Sequence, residues 1–475
     1  MQDPSIFVGE GLPVAFSSIS FLFYFLPLFF IIYYPIPARA KNVVLLAGSL
    51  FFYAWGEPRW ILLLLASILV TWLLGRAMRP EASAGRRRGL LILGLVFQLG
   101  LLVAVKYAGF FFGAFIDLPK LHLPLGVSFY TFHAISYLVD VYRQKTPPQK
   151  NLLRLGLYLA LFPKLVMGPI VPYHELEPAL AQRTIDAQDS SDGCFRFTIG
   201  LAKKALLADA LAGLVTGIWG DLASLTVLSA WLGLIGYALQ LYFDFSGYSD
   251  MAIGLGRMLG FRFPENFRYP YLCSSISDFW RRWHISLGSW FKEYLYFPLG
   301  GSRTGTLRTL RNLLLVWLAT GLWHGASWNY VLWGLYFGVL ICLEKLLAPR
   351  FRAHPRKGLL AGLYRPVCLL LAVLGWVLFR AEDLPAAGRY FACLFGGAAG
   401  ASAQARLYLH DFWPVLLLGA VGATPLCAKL AGRLGAKLRP GVRAAVQAVL
   451  VLALLACSTV WLLNGSFQSF VYFQF

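Results

Sequence analysis

Long apolar runs alternate with short polar stretches along almost the whole chain, and their lengths set the first expectations. A hydrocarbon core of about 30 Å needs roughly 20 apolar residues at helical rise, so residues 16–34 predict a membrane-crossing helix. Residues 42–55 and 60–75 predict a second and a third, joined by a short turn, 89–115 a fourth, and 125–141 a more polar fifth. The run at 155–171 is interrupted by Pro163, Lys164, Gly168 and Pro169, with Pro172 following, which predicts a broken or re-entrant helix. Residues 175–192 are hydrophilic and read as a surface loop or interfacial helix. At 199–219, Lys203, Lys204 and Asp209 stand in an apolar pattern, predicting a helix in the interface with its lysines toward headgroups. Residues 225–243 predict a span that runs into Asp244-Phe245-Ser246-Gly247-Tyr248-Ser249-Asp250. Two carboxylates there are expensive against lipid, so this stretch predicts a polar break lining a cavity. The apolar pieces of 262–311 are too short to span, and predict re-entrant or interfacial helices on the cytoplasmic face. Residues 313–323, 330–347, 367–378, 412–426 and 444–463 are further spans or half-spans. The fold class is an all-α polytopic membrane protein of about ten or eleven transmembrane helices plus re-entrant or interfacial helices, in one membrane domain over 1–475 with its core at about 124–347.

Composition sharpens this picture. Hydrophobic residues make up 58% of the 475 and charged residues 13%, where a soluble globule carries roughly 25% charged residues. The net charge of +20 does not point to nucleic acid, because the basic residues fall in short groups between apolar runs. Arg39 and Lys41, then Arg76, Arg79 and residues 86–88, lie on one side of the predicted spans. The positive-inside rule makes that side the cytoplasm and places the N-terminus outside. Residues 1–13 contain Asp3 and Glu10 but no Lys or Arg, so they lack the basic region of a signal peptide and are not expected to be a cleaved leader. The aromatic tail, 467–475, suits an interface. Seven scattered cysteines form no CxxC pair, so neither a disulfide framework nor a metal cluster is indicated.

Chemistry concentrates in Asp278-Phe279-Trp280-Arg281-Arg282-Trp283-His284-Ile285-Ser286 and Trp323-His324-Gly325-Ala326-Ser327-Trp328. His324 ends an apolar run, where an ionisable group is costly without a task or partner. It is either a structural histidine hydrogen-bonded between helices or an acid/base residue. If 278–290 is one helix, Trp280, Trp283, His284 and Leu287 share a face. Thr320 and His324 are four apart and within hydrogen-bonding reach on a helix, while Gly321 and Gly325 let a second helix approach closely. An imidazole, with an ordinary pKa of about 6.5, can stay neutral in a dry site and take a proton from an alcohol attacking a thioester. There is no Gly-x-Ser-x-Gly elbow and no Walker motif. His284 and His324 have no metal-ligand spacing, and no metal is expected. His122, His133, His174, His354 and His410 are lone residues, read as structural.

The motifs Pro124-Leu125-Gly126-Val127-Ser128-Phe129-Tyr130, Gly168-Pro169-Ile170, the stretch from Asp244 to Asp250, Asn266-Phe267-Arg268-Tyr269-Pro270-Tyr271, Ser277 through His284, Pro298-Leu299-Gly300-Gly301 and Trp323-His324-Gly325-Ala326 occur in this order. Through them the chain resembles a membrane-bound O-acyltransferase of the alginate O-acetyltransferase group, from about residue 16 onward. The resemblance implies helices enclosing a tunnel, with His324 as the principal catalytic residue and His284 as the second. Asp278, Trp280, Arg281, Arg282 and Trp323 are the candidate donor-contacting or tunnel-lining residues. The expected donor is acetyl-CoA or another cytoplasmic acyl thioester, with no bound cofactor. The acetyl group would pass across a bacterial inner membrane to an extracytoplasmic acetyltransferase partner and an exported polysaccharide of the alginate type. Relatives do the same chemistry on peptidoglycan or cellulose, or transfer D-alanine to teichoic acid. A glycan transporter using the histidines and Asp244 as a proton relay, and a structural subunit that recruits soluble enzymes, are the readings from other classes; the absence of a visible internal repeat weighs against the first.

Overall fold

The computed structural model of the chain describes residues 15–112, 123–303, 305–353 and 359–464. The expectations for 1–13 and 467–475, and the residues His122 and His354, fall outside them. Among the described residues every regular element is a helix. Five helices are long and apolar enough to cross a membrane, Ala84–Phe111, Val227–Met258, Trp328–Leu347, Leu363–Arg380 and Pro440–Asn464; the bent pair Ala403–Gly422 and Leu426–Ala436 makes a sixth if taken as one span. The chain is an all-helical, multi-pass membrane protein, and its described part forms two compact units.

One unit comprises residues up to 197 together with 250–264 and a short piece of the last helix. Within it Ala38–Gly56, Ile61–Ala77, Ala84–Leu102 and Val127–Tyr142 occur where the apolar runs predict helices. With lipid on the outside, helices associate through close packing and buried polar side chains. Gln98 supplies such a contact: its amide donates to Ser67 Oγ at 3.0 Å and Thr71 Oγ1 at 2.9 Å, and all three are buried. The expected break at 155–171 is present. Leu152–Ala160, whose first turn is capped by the Asn151 side chain, stops at Leu161; a single turn, Phe162–Leu165, follows, and the chain stays irregular to Pro172. Ser49 Oγ accepts the Phe162 amide N–H at 3.2 Å, replacing a bond that the broken helix no longer provides.

The second unit holds residues 198–249 and most of 265–461. Here the predicted break at 244–250 does not occur, because Val227–Met258 is one helix of 32 residues that runs through it. The carboxylates are neutralised rather than solvated. Lys204 Nζ lies 2.7 Å from Asp244 Oδ1 and 2.7 Å from Asp209 Oδ1, and Asp250, in the first unit, pairs with Arg196 at 2.6 Å. Gly247 marks a close approach, not a break: a Cβ on it would sit 2.7 Å from the Gly200 carbonyl oxygen. Lys204 therefore does not reach toward headgroups as predicted; its side chain is 1% exposed.

Residues 262–311 contain only short turns of helix, Pro270–Leu272, Ile276–Trp280, Ile285–Phe291 and Lys292–Tyr296, before Thr306–His324 begins. That helix and Trp328–Ala353 pack together more extensively than any other described pair. The small residues explain it. A Cβ on Gly321 would meet the Tyr330 carbonyl oxygen at 2.3 Å, and one on Gly334 would meet the Trp317 carbonyl oxygen at 2.3 Å. Both obstacles are backbone, which cannot rotate aside. Gly334→Ala is therefore expected to force the helices apart and destabilise the protein by about 1–3 kcal/mol, the usual cost of overpacking. Thermal unfolding in detergent checks this; an unchanged midpoint would show that the pair has slack.

Candidate functional site

The site is built entirely within the second unit. His324 is the last residue of Thr306–His324, 5% exposed, and its ring is enclosed by aromatic edges. Ring centroids lie 4.9 Å away for Trp323, 4.8 Å for Trp333 and 5.1 Å for Phe379. Trp333 comes from the partner helix that Gly321 and Gly334 bring close; of the predicted pair only Gly321 lies at that contact, while Gly325 stands just past the helix end, where a Cβ would meet the Tyr330 ring. Thr320 does not donate to His324; its hydroxyl donates one turn back to the Val316 carbonyl at 2.8 Å.

The segment carrying His284 departs from the single helix predicted over 278–290. Ile276–Trp280 ends, the chain turns through Arg281, Arg282 and Trp283, and His284 takes a left-handed conformation (φ 46°, ψ 53°) before Ile285–Phe291 begins. A non-glycine residue held there costs roughly 1–3 kcal/mol and persists only where its surroundings impose it. Asn266 imposes it. Its Oδ1 accepts the Ser286 amide N–H at 3.1 Å and the Ser286 hydroxyl at 3.0 Å, and lies 3.3 Å from His284 Nδ1. Its backbone carbonyl accepts the Ile285 N–H at 3.0 Å, while Arg268 N–H donates to the Arg282 carbonyl at 2.9 Å. The result aims a 2%-exposed imidazole inward against Phe245 at 4.6 Å. Burial pushes the pKa of His284 down to about 3, so it is neutral at physiological pH.

One residue joins the two imidazoles. Trp323 lies 6.1 Å from the His284 ring and 4.9 Å from that of His324, so the histidines flank a single indole. Forty residues apart in sequence, they share one aromatic site. Trp280 belongs to the same cluster, 4.7 Å from Trp317, 4.8 Å from Phe337 and 5.5 Å from Trp333. The shared helical face predicted for Trp280, Trp283, His284 and Leu287 is replaced by this packing around a turn.

The charged candidates lie on the other side of the same segment. Arg281 is 73% exposed and 3.6 Å from Asp278 Oδ1; Arg282 Nε donates to Asp278 Oδ2 at 3.0 Å. Burial alone would raise the Asp278 pKa, but the Ser274 N–H at 2.9 Å and the Arg282 guanidinium hold it below the usual carboxylate range. Asp278, Arg281 and Arg282 thus form an ion-paired outer edge, and the buried histidines are not part of it.

Sequence reasoning missed Glu344. From within Trp328–Ala353 its carboxylate accepts the N–H of Ile276 at 2.6 Å, the N–H and hydroxyl of Ser277 at 2.8 and 2.6 Å, and the Tyr364 hydroxyl at 2.6 Å. These bonds satisfy the otherwise open amides at the start of Ile276–Trp280 and tie the His284 segment to the helix that packs on His324. A lone acid in a predicted span was the signal that could have found it. Glu344→Ala is expected to cost about 1–3 kcal/mol, because donors are left without an acceptor, and to slow acyl transfer in parallel. Glu344→Gln, which keeps one acceptor oxygen, should recover part of both. Paired unfolding and transfer assays test this, and full transfer by Glu344→Ala would remove it from the site.

The membrane-bound O-acyltransferase family matches residues 149–361, a stretch that contains both histidines and Glu344. The chain is 43% identical to the "probable alginate O-acetylase AlgI" of Pseudomonas aeruginosa over 396 residues, covering 80% of this chain and 75% of that one. It is 36% identical to the peptidoglycan O-acetyltransferase of Helicobacter pylori, covering 78% of each. Against the teichoic acid D-alanyltransferase of Bacillus subtilis it is 29% identical, over 48% of this chain and 62% of that one.

Proposed function

Since this chain belongs to the membrane-bound O-acyltransferase family, we propose that it takes an acetyl group from a cytoplasmic thioester, acetyl-CoA or another acyl thioester, and passes it across the bacterial inner membrane for O-acetylation of an exported polysaccharide of the alginate type. The chain is an acyltransferase. Identity supports the acceptor class, since the alginate O-acetylase relative exceeds the peptidoglycan O-acetyltransferase in identity at similar coverage of this chain. The observation that carries the chemistry is the pair of buried imidazoles flanking Trp323.

In this reading His324 is the general base. It takes the proton from an attacking hydroxyl as the oxygen adds to the thioester carbonyl; the tetrahedral intermediate then expels the thiolate, which takes that proton back from the His324 imidazolium, directly or through His284, and leaves as thiol. His284 positions the donor or relays the proton. Its neutral ring, held by Asn266, suits either task because it can accept a proton at one nitrogen and donate from the other. The tryptophans Trp280 and Trp323 line the acyl path. About ten or eleven crossings enclosing a tunnel would let the acetyl group reach an extracytoplasmic acetyltransferase partner.

Arg281 and Arg282 stand at the entry for the anionic donor. Arg281 is exposed and has only a long contact to Asp278, so its guanidinium is available to a phosphate. Replacing both with Gln is expected to raise the apparent KM for the thioester roughly tenfold, on the order of 1.4 kcal/mol, and to leave membrane insertion intact. Inversion or failed insertion would instead make them topological anchors. The function itself is tested by chemical analysis of O-acetyl groups on each exported polysaccharide with and without the chain. A glycan exported in reduced amount but normally acetylated would favour a transporter and overturn the acyl-transfer assignment.

A further inference from the structure

We propose that Lys164 and His133, residues of the first unit that the acyl-transfer reading leaves without a task, form a binding site for a single monoanionic oxygen group, a carboxylate or a phosphodiester. Lys164 sits in the one-turn segment Phe162–Leu165 with its side chain fully buried. Its ammonium stands 4.2 Å over the Tyr158 ring. Among the described residues no hydrogen-bond acceptor or carboxylate meets Lys164 Nζ. His133, on Val127–Tyr142, is fully buried too, and its ring lies edge-on to the same Tyr158 at 5.5 Å. His133 approaches the Phe129 backbone one turn earlier but neither of its nitrogens has a partner in good hydrogen-bonding geometry, and the hydroxyl of Tyr130, on the same face and within electrostatic reach of the buried Glu57 carboxylate, has none either.

Several features fix these groups in place. Tyr158 donates its hydroxyl to the Val171 carbonyl at 2.9 Å, which locks the ring between them. Gly168 packs so closely that a Cβ there would lie 2.4 Å from Lys164 Cα. Residues 155–171 are all buried, so the ammonium has no route by which to snorkel to water. An ammonium has three donors and no acceptor, and an aromatic face offsets only part of the cost of removing it from water. A buried amine is either neutral or paired with an anion, and an anion held beside Lys164 would keep it charged and satisfy donors that are otherwise unmet. The cost falls here on a segment that is irregular as well as buried, which is where membrane proteins place ligands.

Charge selects the ligand. An anion that keeps the Lys164 amine charged meets one cation beside imidazole and phenol donors, with the Glu57 carboxylate already near Tyr130, so one negative charge is matched, whereas a phosphomonoester dianion would leave a net buried charge of its own. A small carboxylate and the phosphodiester of an anionic lipid present the same oxygen chemistry. The proposal is independent of the acyl-transfer reading, since it concerns binding and is read without turnover.

The test is thermal unfolding of the full chain in uncharged detergent, with sodium acetate against sodium chloride at matched ionic strength, and with phosphatidylglycerol added to the micelles. A bound anion raises Tm with the logarithm of its concentration above half-saturation. Wild type should show this with acetate, with phosphatidylglycerol, or with both, which identifies the source. Lys164→Met should be at least as stable as wild type in chloride, because it removes a buried donor that has no acceptor, and should lose the anion-dependent rise. His133→Phe, which keeps the packing on Tyr158, should weaken the rise and serves if Lys164→Met does not fold. The proposal is overturned if neither anion shifts wild type relative to chloride, or if the rise persists in these variants.

Discussion

A His324→Ala variant is expected to insert in the membrane and to lose about 10² to 10⁴-fold of its O-acetyl transfer, the contribution of a positioned general base. The geometry concentrates this effect on one residue. A thioester does not acylate a neutral hydroxyl unless the proton leaves as the carbon–oxygen bond forms, and the sequence has no Gly-x-Ser-x-Gly elbow to supply a serine nucleophile instead. Cys273, nearest in sequence to the His284 segment, is buried, and burial pushes its thiol up to about 11, away from a useful thiolate. His324 has the needed enclosure, with Trp323, Trp333 and Phe379 around the ring. The same enclosure complicates the alanine variant. Deleting a ring from an aromatic cage leaves a cavity, and comparable truncations of large core residues cost about 2–5 kcal/mol, so lost activity alone could come from lost packing. His324→Phe separates the two, because it fills the cage but cannot take a proton. Transfer should fall as far in His324→Phe as in His324→Ala, while Tm should fall less. The measurement is the ester content of the secreted polysaccharide, normalised to the amount of folded protein. Normal acetylation by His324→Phe would leave His324 as a packing residue and return the chemistry to a partner protein.

The features legible in the sequence were those fixed by local rules. The lengths of apolar runs located the helices, and Pro163 and Gly168 announced the break at 155–171, because ring geometry and the missing Cβ act within one turn. Gly321 announced the close helix pair in the same way, although its facing partner is Gly334 rather than Gly325. What failed was the fate of charge. Asp244 reads as a break-forming carboxylate only if its counterion is unknown, and Lys204 is forty residues away, on an element that also reads as interfacial. The turn at His284 was hidden for the same reason. Periodicity over 278–290 is helical, and the clamp that overrides it comes from Asn266, outside the window. Glu344 stood out only as a lone acid in a predicted span, and its partners, two backbone amides and the hydroxyls of Ser277 and Tyr364, share no spacing that would have named them. In each case a contact between distant residues decided the outcome, and pattern along the chain does not record such contacts.

The largest loss of stability is expected from Lys204→Met. Lys204 holds two carboxylates, Asp209 and Asp244, at 2.7 Å each, and all three side chains are nearly inaccessible to solvent. Removing the cation leaves two like charges facing each other in a dry site, and breaking a buried pair in this way costs about 3–5 kcal/mol. The pH dependence distinguishes this from a simple packing defect. Burial raises the Asp209 carboxyl up to about 6 even with Lys204 beside it. A carboxyl whose folded pKa lies above its unfolded value binds its proton more tightly when folded, so it contributes stability below about pH 4 that is lost as pH rises through about 6. Without Lys204 the Asp209 carboxyl loses the cation that lowers its pKa and shifts further upward, and the penalty of Lys204→Met should be smaller at pH 5 than at pH 8. Adding Asp209→Asn and Asp244→Asn to Lys204→Met should restore most of the stability and remove its pH dependence. Transfer should follow stability, because Asp244 precedes Phe245, whose ring sits 4.6 Å from His284, so a displaced helix loosens the histidine that Asn266 positions. If Lys204→Met unfolds at the same midpoint as wild type at both pH values, the triad is not holding this helix, and the contact between Phe245 and His284 must be maintained by packing alone.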